Sequence, residues 1–447
     1  MQMAYIERPR FSCALGGALS TISALQKVVP IVHATAGCGS NLFGAYMGGS
    51  GFWGSGYCGG GSVPTSGITE NDIVFGGSSR LTQQIETTLE LIDADLFIVT
   101  TGCMTEIIGD DVEAVLRNFK DSQVPILSLE TGGFRGNSYN GYEGVLEKLF
   151  IDYSNKTAKK TKNLVNILGV VPALDPFFRG DLVEIKRLLE KLGLEVNTFF
   201  TNDQTIDNLK DASEASLNIV LSRTYGISVA ESLQEKHGIP YYVNELPIGP
   251  TATAEFLKDI SKLLEIDNKK VEKLIENENE NYYKYIERIS DVYADSDFQH
   301  YAVVVGNANN TISITRFLHE DLGWIPKFSV ITDELNDNQK KSLNEGFKKI
   351  NGSKETELIY QTDASKIQEY LTNIIKPHKS EKYYDTLSPL FVLGSSWEKD
   401  FSKSVGAKTL TVSYPILNRA ILDRGYAGYS GGLHLVEDLL DVIFTGR

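Results

Sequence analysis

The chain has 447 residues with 42% hydrophobic and 23% charged content, which excludes a disordered polymer and exceeds one ordinary core, so two or three domains of about 150 residues are expected. A net charge of −15, from 58 acidic and 43 basic residues, argues against a nucleic-acid partner, which would require clustered Lys and Arg. No apolar run approaches the roughly 20 residues needed to cross a bilayer; "MQMAYIERPRF" lacks a basic and then apolar leader, so no membrane and a cytoplasmic location are expected.

From the N-terminus, Cys13 precedes a helical stretch, "ALGGALSTISALQKV", whose start is glycine-rich. The strand "VPIVHA" (29–34) follows, with Cys38 just past its end. Helical "RLTQQIETTLELI" leads to the strand "DLFIVTTG" (95–102), Cys103, helical "DDVEAVLRNF" and the strand "VPILSLE" (124–130). A polar, basic connector, "DYSNKTAKKTKN", separates these from "LVNILGVV" (164–171), helical "DLVEIKRLLEKLG" and "LNIVLS" (217–222). The charged run "DNKKVEKLIENENENYYKYIERISDVYADSDF" predicts one or two exposed helices. The last strands are "YAVVVGN" (301–307), "PKFSVIT" (326–332), "PLFVLGS" (389–395) and "KTLTVSY" (408–414), with helical "SKIQEYLTNII" among them. Short β-branched runs alternating with helices of three-and-four apolar spacing predict an α/β fold of three Rossmann-like parallel-sheet domains, at 1–155, 162–298 and 299–447.

The cysteines carry the functional signal. All four, Cys13, Cys38, Cys58 and Cys103, lie in the first quarter of the chain. That clustering points to metal binding or redox chemistry, against the alternative of inert buried thiols. Cys38 and Cys103 sit at the carboxyl ends of predicted parallel strands, where ligand sites of open α/β sheets gather. Thiolate is a soft ligand suited to iron–sulfur clusters, zinc or copper(I), and predicted helix starts favour its negative charge. Gly37, Gly39 and Gly102 flank the thiols and allow close backbone approach. No Cys-x-x-Cys occurs, so a ribbon-type zinc site and a ferredoxin run are excluded.

Other motifs are decoys. "GSGFWG" (49–54) and "GSGYCG" (54–59) satisfy GxGxxG but follow no clear strand, and Phe52, Trp53 and Tyr57 crowd the turn. There is no GxxxxGK followed by Ser or Thr, no HExxH and no GxSxG. His33 reads as a satisfied core histidine on a buried strand, and His434 as a helix residue.

The ordered series "CALGGALSTI…VVPIVHATAGC", "SGITENDIVFGGSSRL", "TTGCMTEIIGDD" and "ETGGFRGNSYNGY" resembles component 1 of nitrogenase and its relatives, closest to the β-type subunit. The motifs cover residues 13–145; "LPIGPTATAEFLKDIS" and "SYPILNRAILDRGYAGYSGGLHLVEDLL" extend the match more weakly. The resemblance implies an oxidoreductase subunit. Cys13, Cys38 and Cys103 fall on the cysteines by which the β-type subunit holds half of an interface 8Fe-7S P-cluster; a 4Fe-4S cluster is the alternative. It also implies an α-type partner in an α2β2 assembly and an ATP-dependent iron-protein reductase docking near Phe75. Gly133 falls where the molybdenum enzyme can carry a ligating serine, a role glycine lacks. Cys58, in the insert "GGSGFWGSGYCGGGSVP", has two readings, a fourth cluster ligand or a free thiol. The α-type cofactor ligands have no counterpart: the middle block offers Ser222, Thr224 and Tyr225 in place of a cysteine, and "TVSYPILNRAIL" has no histidine. The cofactor is therefore expected on the partner. Glu106, Asp110 and Asp111 are expected to favour a helix start, and Glu70 to act as a cap or docking residue. A cofactor-assembly scaffold and a tetrapyrrole-type reductase subunit are the alternatives.

Overall fold

The computed structural model describes residues 5–51, 63–156, 159–295, 298–375 and 387–445. Cys58 and the aromatic residues around it lie outside the described residues. The fold is α/β, with three sheets whose strand pairs are all parallel. The first has the order β1 (Val28–His33), β2 (Leu96–Thr101), β3 (Ile126–Leu129). The second comprises β4 (Leu164–Leu168), β5 (Glu195–Asn197), β6 (Leu217–Val220) and β7 (Tyr241–Val243), in the order β5-β4-β6-β7. The third comprises β8 (Tyr301–Gly306), β9 (Ile325–Ile331), β10 (Glu357–Tyr360), β11 (Leu390–Gly394) and β12 (Lys408–Thr411), in the order β10-β9-β8-β11-β12. Every strand-like run in the sequence is a strand. β5, β7 and β10 were not legible: they are only three or four residues long, and β5 and β10 open on a glutamate. Among the described residues no helix is long and apolar enough to cross a membrane.

The central strand of the first sheet, β2, and its edge neighbour β1 are both buried along their whole length, as the continuous apolar runs demand. The register pairs Val28 with Leu96 and His33 with Thr101, so both strands end at the same level. Whatever follows them emerges side by side at one edge of the sheet.

The largest apolar core runs through all three sheets, joining Leu96 and Ile98 to Val165 and Ile219 and to Ile312 and Ile331. The charged segment forms the helix Asn268–Ile286 and then the helix Ser290–Asp295. The expectation that it is exposed needs correction. Val271, Leu274, Ile275 and Tyr282 are buried, and the first of these helices packs on Gly249–Leu263 and Gly428–Thr445. Its apolar stripe was masked by the dense Glu, Asn and Lys of the opposite face.

Asp181 ties the middle of the chain to its C-terminal part. Its carboxylate accepts N–H bonds from Tyr426 at 2.6 Å and Ala427 at 2.8 Å. Burial pushes its pKa up to about 7, against those two hydrogen bonds. The native state therefore holds a proton that the unfolded chain releases near pH 4. The stabilisation this proton gives is present at low pH and is lost as pH rises from about 4 to about 7. Asp181→Asn keeps the acceptor oxygen and removes the titration. Its thermal midpoint, relative to wild type, is expected to climb as pH is raised from 5 to 8; a flat difference would show that the carboxyl titrates normally.

Candidate metal centre at the edge of the first sheet

Three helix starts meet at this edge: α1 (Ala14–Ala24), α2 (Ala36–Gly49) and α3, the short helix Cys103–Ile108. Cys13 is the N-cap residue of α1, Cys38 lies in the first turn of α2, and Cys103 is the first residue of its helix. All three are free thiols; Cys13 and Cys38 are half-buried and Cys103 is exposed.

The local folding is specific. α1 is buried along its whole length. It is built from small residues because the helix Ser138–Lys148 presses on it: a Cβ on Gly17 would lie 1.8 Å from the Ser138 carbonyl oxygen, and one on Gly141 would lie 2.0 Å from that of Ala14. Backbone bonds stitch the start of α1 to the same segment, Ala14 N–H to Gly136 at 3.0 Å and Ser138 N–H to Ser12 at 2.9 Å. Cys13 and Cys38 both flank one small apolar cluster of Leu15, Leu19, Val32 and Ala34.

Gly133 marks where Cys13 and Cys103 converge, and no atom of Cys38 lies within 4 Å of a Cβ built there. A Cβ there would meet Cys103 Sγ at 3.1 Å and Cys13 Cβ at 3.4 Å. The Gly133 N–H donates to Cys103 Sγ at 3.0 Å. Cys38 Sγ lies 3.4 Å from Thr35 Oγ1. Among the described residues no three Cys, His, Asp or Glu side chains are grouped to hold a single metal ion. The candidate donors are all sulfur, spread over three elements with one backbone N–H aimed at a thiol. That suits an extended thiolate-bound cluster better than a lone cation.

The acidic residues beyond Cys103 do more than favour a helix start. Glu106 accepts from Thr101 Oγ1 at 2.5 Å, Gly132 N at 2.6 Å and Arg135 Nε at 2.5 Å. Burial raises its pKa, and these bonds from Thr101, Arg135 and Gly132 outweigh that, leaving it below the usual carboxylate value. Asp110 accepts from Gly77 N at 2.9 Å and faces His33 Nε2 at 3.0 Å, while His33 Nδ1 faces Ser66 Oγ at 3.0 Å. Burial pushes the His33 pKa down against the pull of Asp110, so the imidazole is largely neutral at pH 7. The His33 carbonyl accepts Gly102 N–H at 2.9 Å and Thr105 Oγ1 at 2.8 Å. His33 is thus the satisfied core histidine expected from sequence. Asp111 caps the next helix by accepting Ala114 N–H at 2.8 Å.

Beside the thiols lies an exposed apolar patch. The helix Glu70–Phe75 packs against α3, leaving Val74 73%, Phe75 86% and Ile107 67% exposed. Thr69 and Asp72 form the capping box of the Glu70–Phe75 helix, so the cap suggested for Glu70 belongs to Asp72 instead.

In the middle of the chain, Ser222 Oγ accepts the Thr224 and Tyr225 N–H groups at 3.1 and 3.0 Å. The Tyr225 ring stacks on Tyr139 at 3.7 Å, and Tyr139 donates to Asp333 at 2.9 Å. An open cleft of about 1350 Å³ runs from Cys13 and Gly133 past these rings to Asn336 and Gln339.

These observations define a class: a three-sheet parallel α/β protein with free thiols gathered at neighbouring element starts of its first sheet. The chain belongs to the nitrogenase component 1 type oxidoreductase family, whose model matches residues 13–444. It is 24% identical to the nitrogenase molybdenum-iron protein beta chain of Methanococcus maripaludis, over 97% of this chain and 94% of the relative. It is 26% identical to a light-independent protochlorophyllide reductase chain of Chlorokybus atmophyticus, over 58% of this chain and 53% of the relative. The solved structure of nitrogenase Cp1 at pH 6.5 matches its fold with a TM-score of 0.80 at 20% identity, covering 100% of this chain and 95% of that one.

Proposed function

We propose that this chain is the β-type subunit of a nitrogenase-like reductase, and that Cys13, Cys38 and Cys103 hold its share of an interface iron–sulfur cluster. The observation that carries the reading is the convergence of Cys13 and Cys103 on the side-chain-free space at Gly133. When bound, such a cluster supplies one-electron storage and transfer. The protein's part is to fix three sulfurs at helix starts, supply the Gly133 N–H to one of them, and keep bulk side chains away. The remaining cluster ligands come from an α-type partner, in an α2β2 assembly. The near-full-length likeness to a beta chain supports this partnership. The substrate cofactor sits on the partner, because Ser222, Thr224 and Tyr225 are spent on internal contacts here.

The test is iron and acid-labile sulfide per co-purified α/β pair under anaerobic conditions. About eight irons at the interface supports a P-type cluster and about four a simpler one; an iron-free pair made with an intact maturation system sinks the reading.

The Val74–Phe75–Ile107 patch is the docking surface for an ATP-dependent iron protein. Phe75→Ala is expected to cost about 2 kcal/mol of docking, about thirtyfold in affinity, with iron content and fold unchanged because the ring is 86% exposed. Unaltered docking, measured by binding of the iron protein to the assembled pair, would remove the patch from the account.

A second reading, a tetrapyrrole-type reductase subunit, draws on the cleft of about 1350 Å³ opening beside Cys13 and on the protochlorophyllide reductase relative. Four irons per pair, with binding of a tetrapyrrole by the pair, would favour it.

A further inference from the structure

The carboxylate of Glu106 is placed between two things that matter to Cys103. It lies one helical turn beyond the thiol, on the same short helix. Its two oxygens reach the turn that delivers the Gly133 N–H to the sulfur. Oε1 accepts Gly132 N at 2.6 Å and Oε2 accepts Arg135 Nε at 2.5 Å. Thr101, the last residue of β2, donates to Oε1 from the strand side. The Glu106 side chain is only 6% exposed and Gly132 is buried, so the bond between them is shielded from water and from screening, whereas the Arg135 side chain is 43% exposed and its bond to Glu106 faces solvent. The outer pair between Arg135 and Glu130 is 43% and 65% exposed and holds the turn weakly. Thr131 fixes the strand end of the turn through bonds with Thr101 at 3.0 and 2.7 Å. Gly132 and Gly133 themselves have no side chains to anchor them. A Cβ on Gly132 would meet the Glu106 carboxylate at 3.0 Å, so the glycine lets the carboxylate close onto the backbone.

We propose that Glu106 is a positioning residue that holds the Gly132–Gly133 turn against Cys103 and thereby keeps the Gly133 N–H aimed at its sulfur. The inference rests on the reading of Cys103 as a cluster ligand. An N–H donated to a thiolate sulfur stabilises electron density on it and so favours the reduced form of a bound cluster. Without the carboxylate, the buried Gly132 N–H loses its acceptor and the turn lifts from the thiol.

Three substitutions test this: Glu106→Ala, Glu106→Gln and Arg135→Ala. In the full metal-free chain, amide hydrogen exchange over residues 131–136 is expected to speed up about tenfold in Glu106→Ala. It should stay near wild type in Glu106→Gln, whose amide oxygen still accepts Gly132 N–H. In the assembled pair, the cluster's midpoint potential is expected to move negative in Glu106→Ala and to hold in Glu106→Gln and Arg135→Ala. An Ala variant with full iron, unshifted potential and unchanged exchange overturns the proposal. So does a Gln variant shifted as far as Ala. A wild-type pair that carries no iron refutes the ligand reading alone, and the exchange result still decides whether Glu106 holds the turn.

Discussion

Cys103→Ala is expected to lower the iron of the purified pair about tenfold or more, with its visible absorbance, while leaving the chain folded. The asymmetry follows from where the thiol sits. Cys103 is the exposed one of the three and contributes little to the core, so the substitution should change stability by about 0.5 kcal/mol or less. A cluster ligand is another matter, because metal-ligand binding free energy is lost when a donor goes. Cys13 makes a less clean test: it is the N-cap residue of α1 and packs against the Leu15–Leu19 cluster, so its removal mixes packing with ligation. Iron and sulfide assays on the Cys103 variant, beside a thermal midpoint, separate the two effects. A variant that melts as wild type and keeps its iron would show that the thiol is a bystander.

The parts of the fold that the sequence announced were those whose signal is local. β1, β2, β3, β4, β6, β8, β9 and β11 are largely apolar and bounded by turn residues, β12 is rich in β-branched threonine, and each is a strand. The thiols at the ends of β1 and β2 could be placed from the strand pattern alone, because parallel strands in register put their following loops together. α2 was not visible. "AGCGSNLFGAYMGG" contains several glycines, each costing about 1 kcal/mol in a helix interior, so propensity argues against the helix that forms. What overrides it is tertiary: Gly49 lies where a Cβ would strike the Tyr414 ring at 2.5 Å, and the segment just after it pairs with Ile416. The helix end is held by a part of the chain some 370 residues away, which no window of sequence can reveal.

The same limit applies to the site. Glu106 three residues after Cys103 was readable as a carboxylate at a helix start. Its grip on Gly132 and Arg135 was not, since that depends on a turn about 26 residues further on. A Glu at i+3 from a thiol, followed later by a Gly-Gly pair and an Arg, is the signal that could have suggested it. His33 was readable as a core histidine but its partners were not: Ser66 and Asp110 come from two different loops.

Gly17→Ala and Gly141→Ala are expected to be among the most damaging single changes in the first block, against what helix propensity alone would say. Both glycines lie inside helices, where Ala gains about 1 kcal/mol over Gly. Backbone contact decides the sign. The added methyl would sit 1.8 Å from the Ser138 carbonyl oxygen at Gly17, and 2.0 Å from that of Ala14 at Gly141. Neither obstacle is a side-chain end that can swing away, so α1 and the helix Ser138–Lys148 must separate. Forced overpacking of this kind costs on the order of 3 kcal/mol or more, which exceeds the propensity gain. Gly44→Ala supplies the control. It lies in α2 with no atom within 4 Å of the added methyl, so the propensity term stands alone and the thermal midpoint should hold or rise. Because Cys13 caps α1 and Ala14 bonds Gly136, separating the helices also moves that thiol away from Gly133. The Gly17 and Gly141 variants should therefore lose iron together with stability, while Gly44→Ala keeps both. Equal midpoints for Gly17→Ala and Gly44→Ala would mean that the two helices do not approach as closely as their glycines allow.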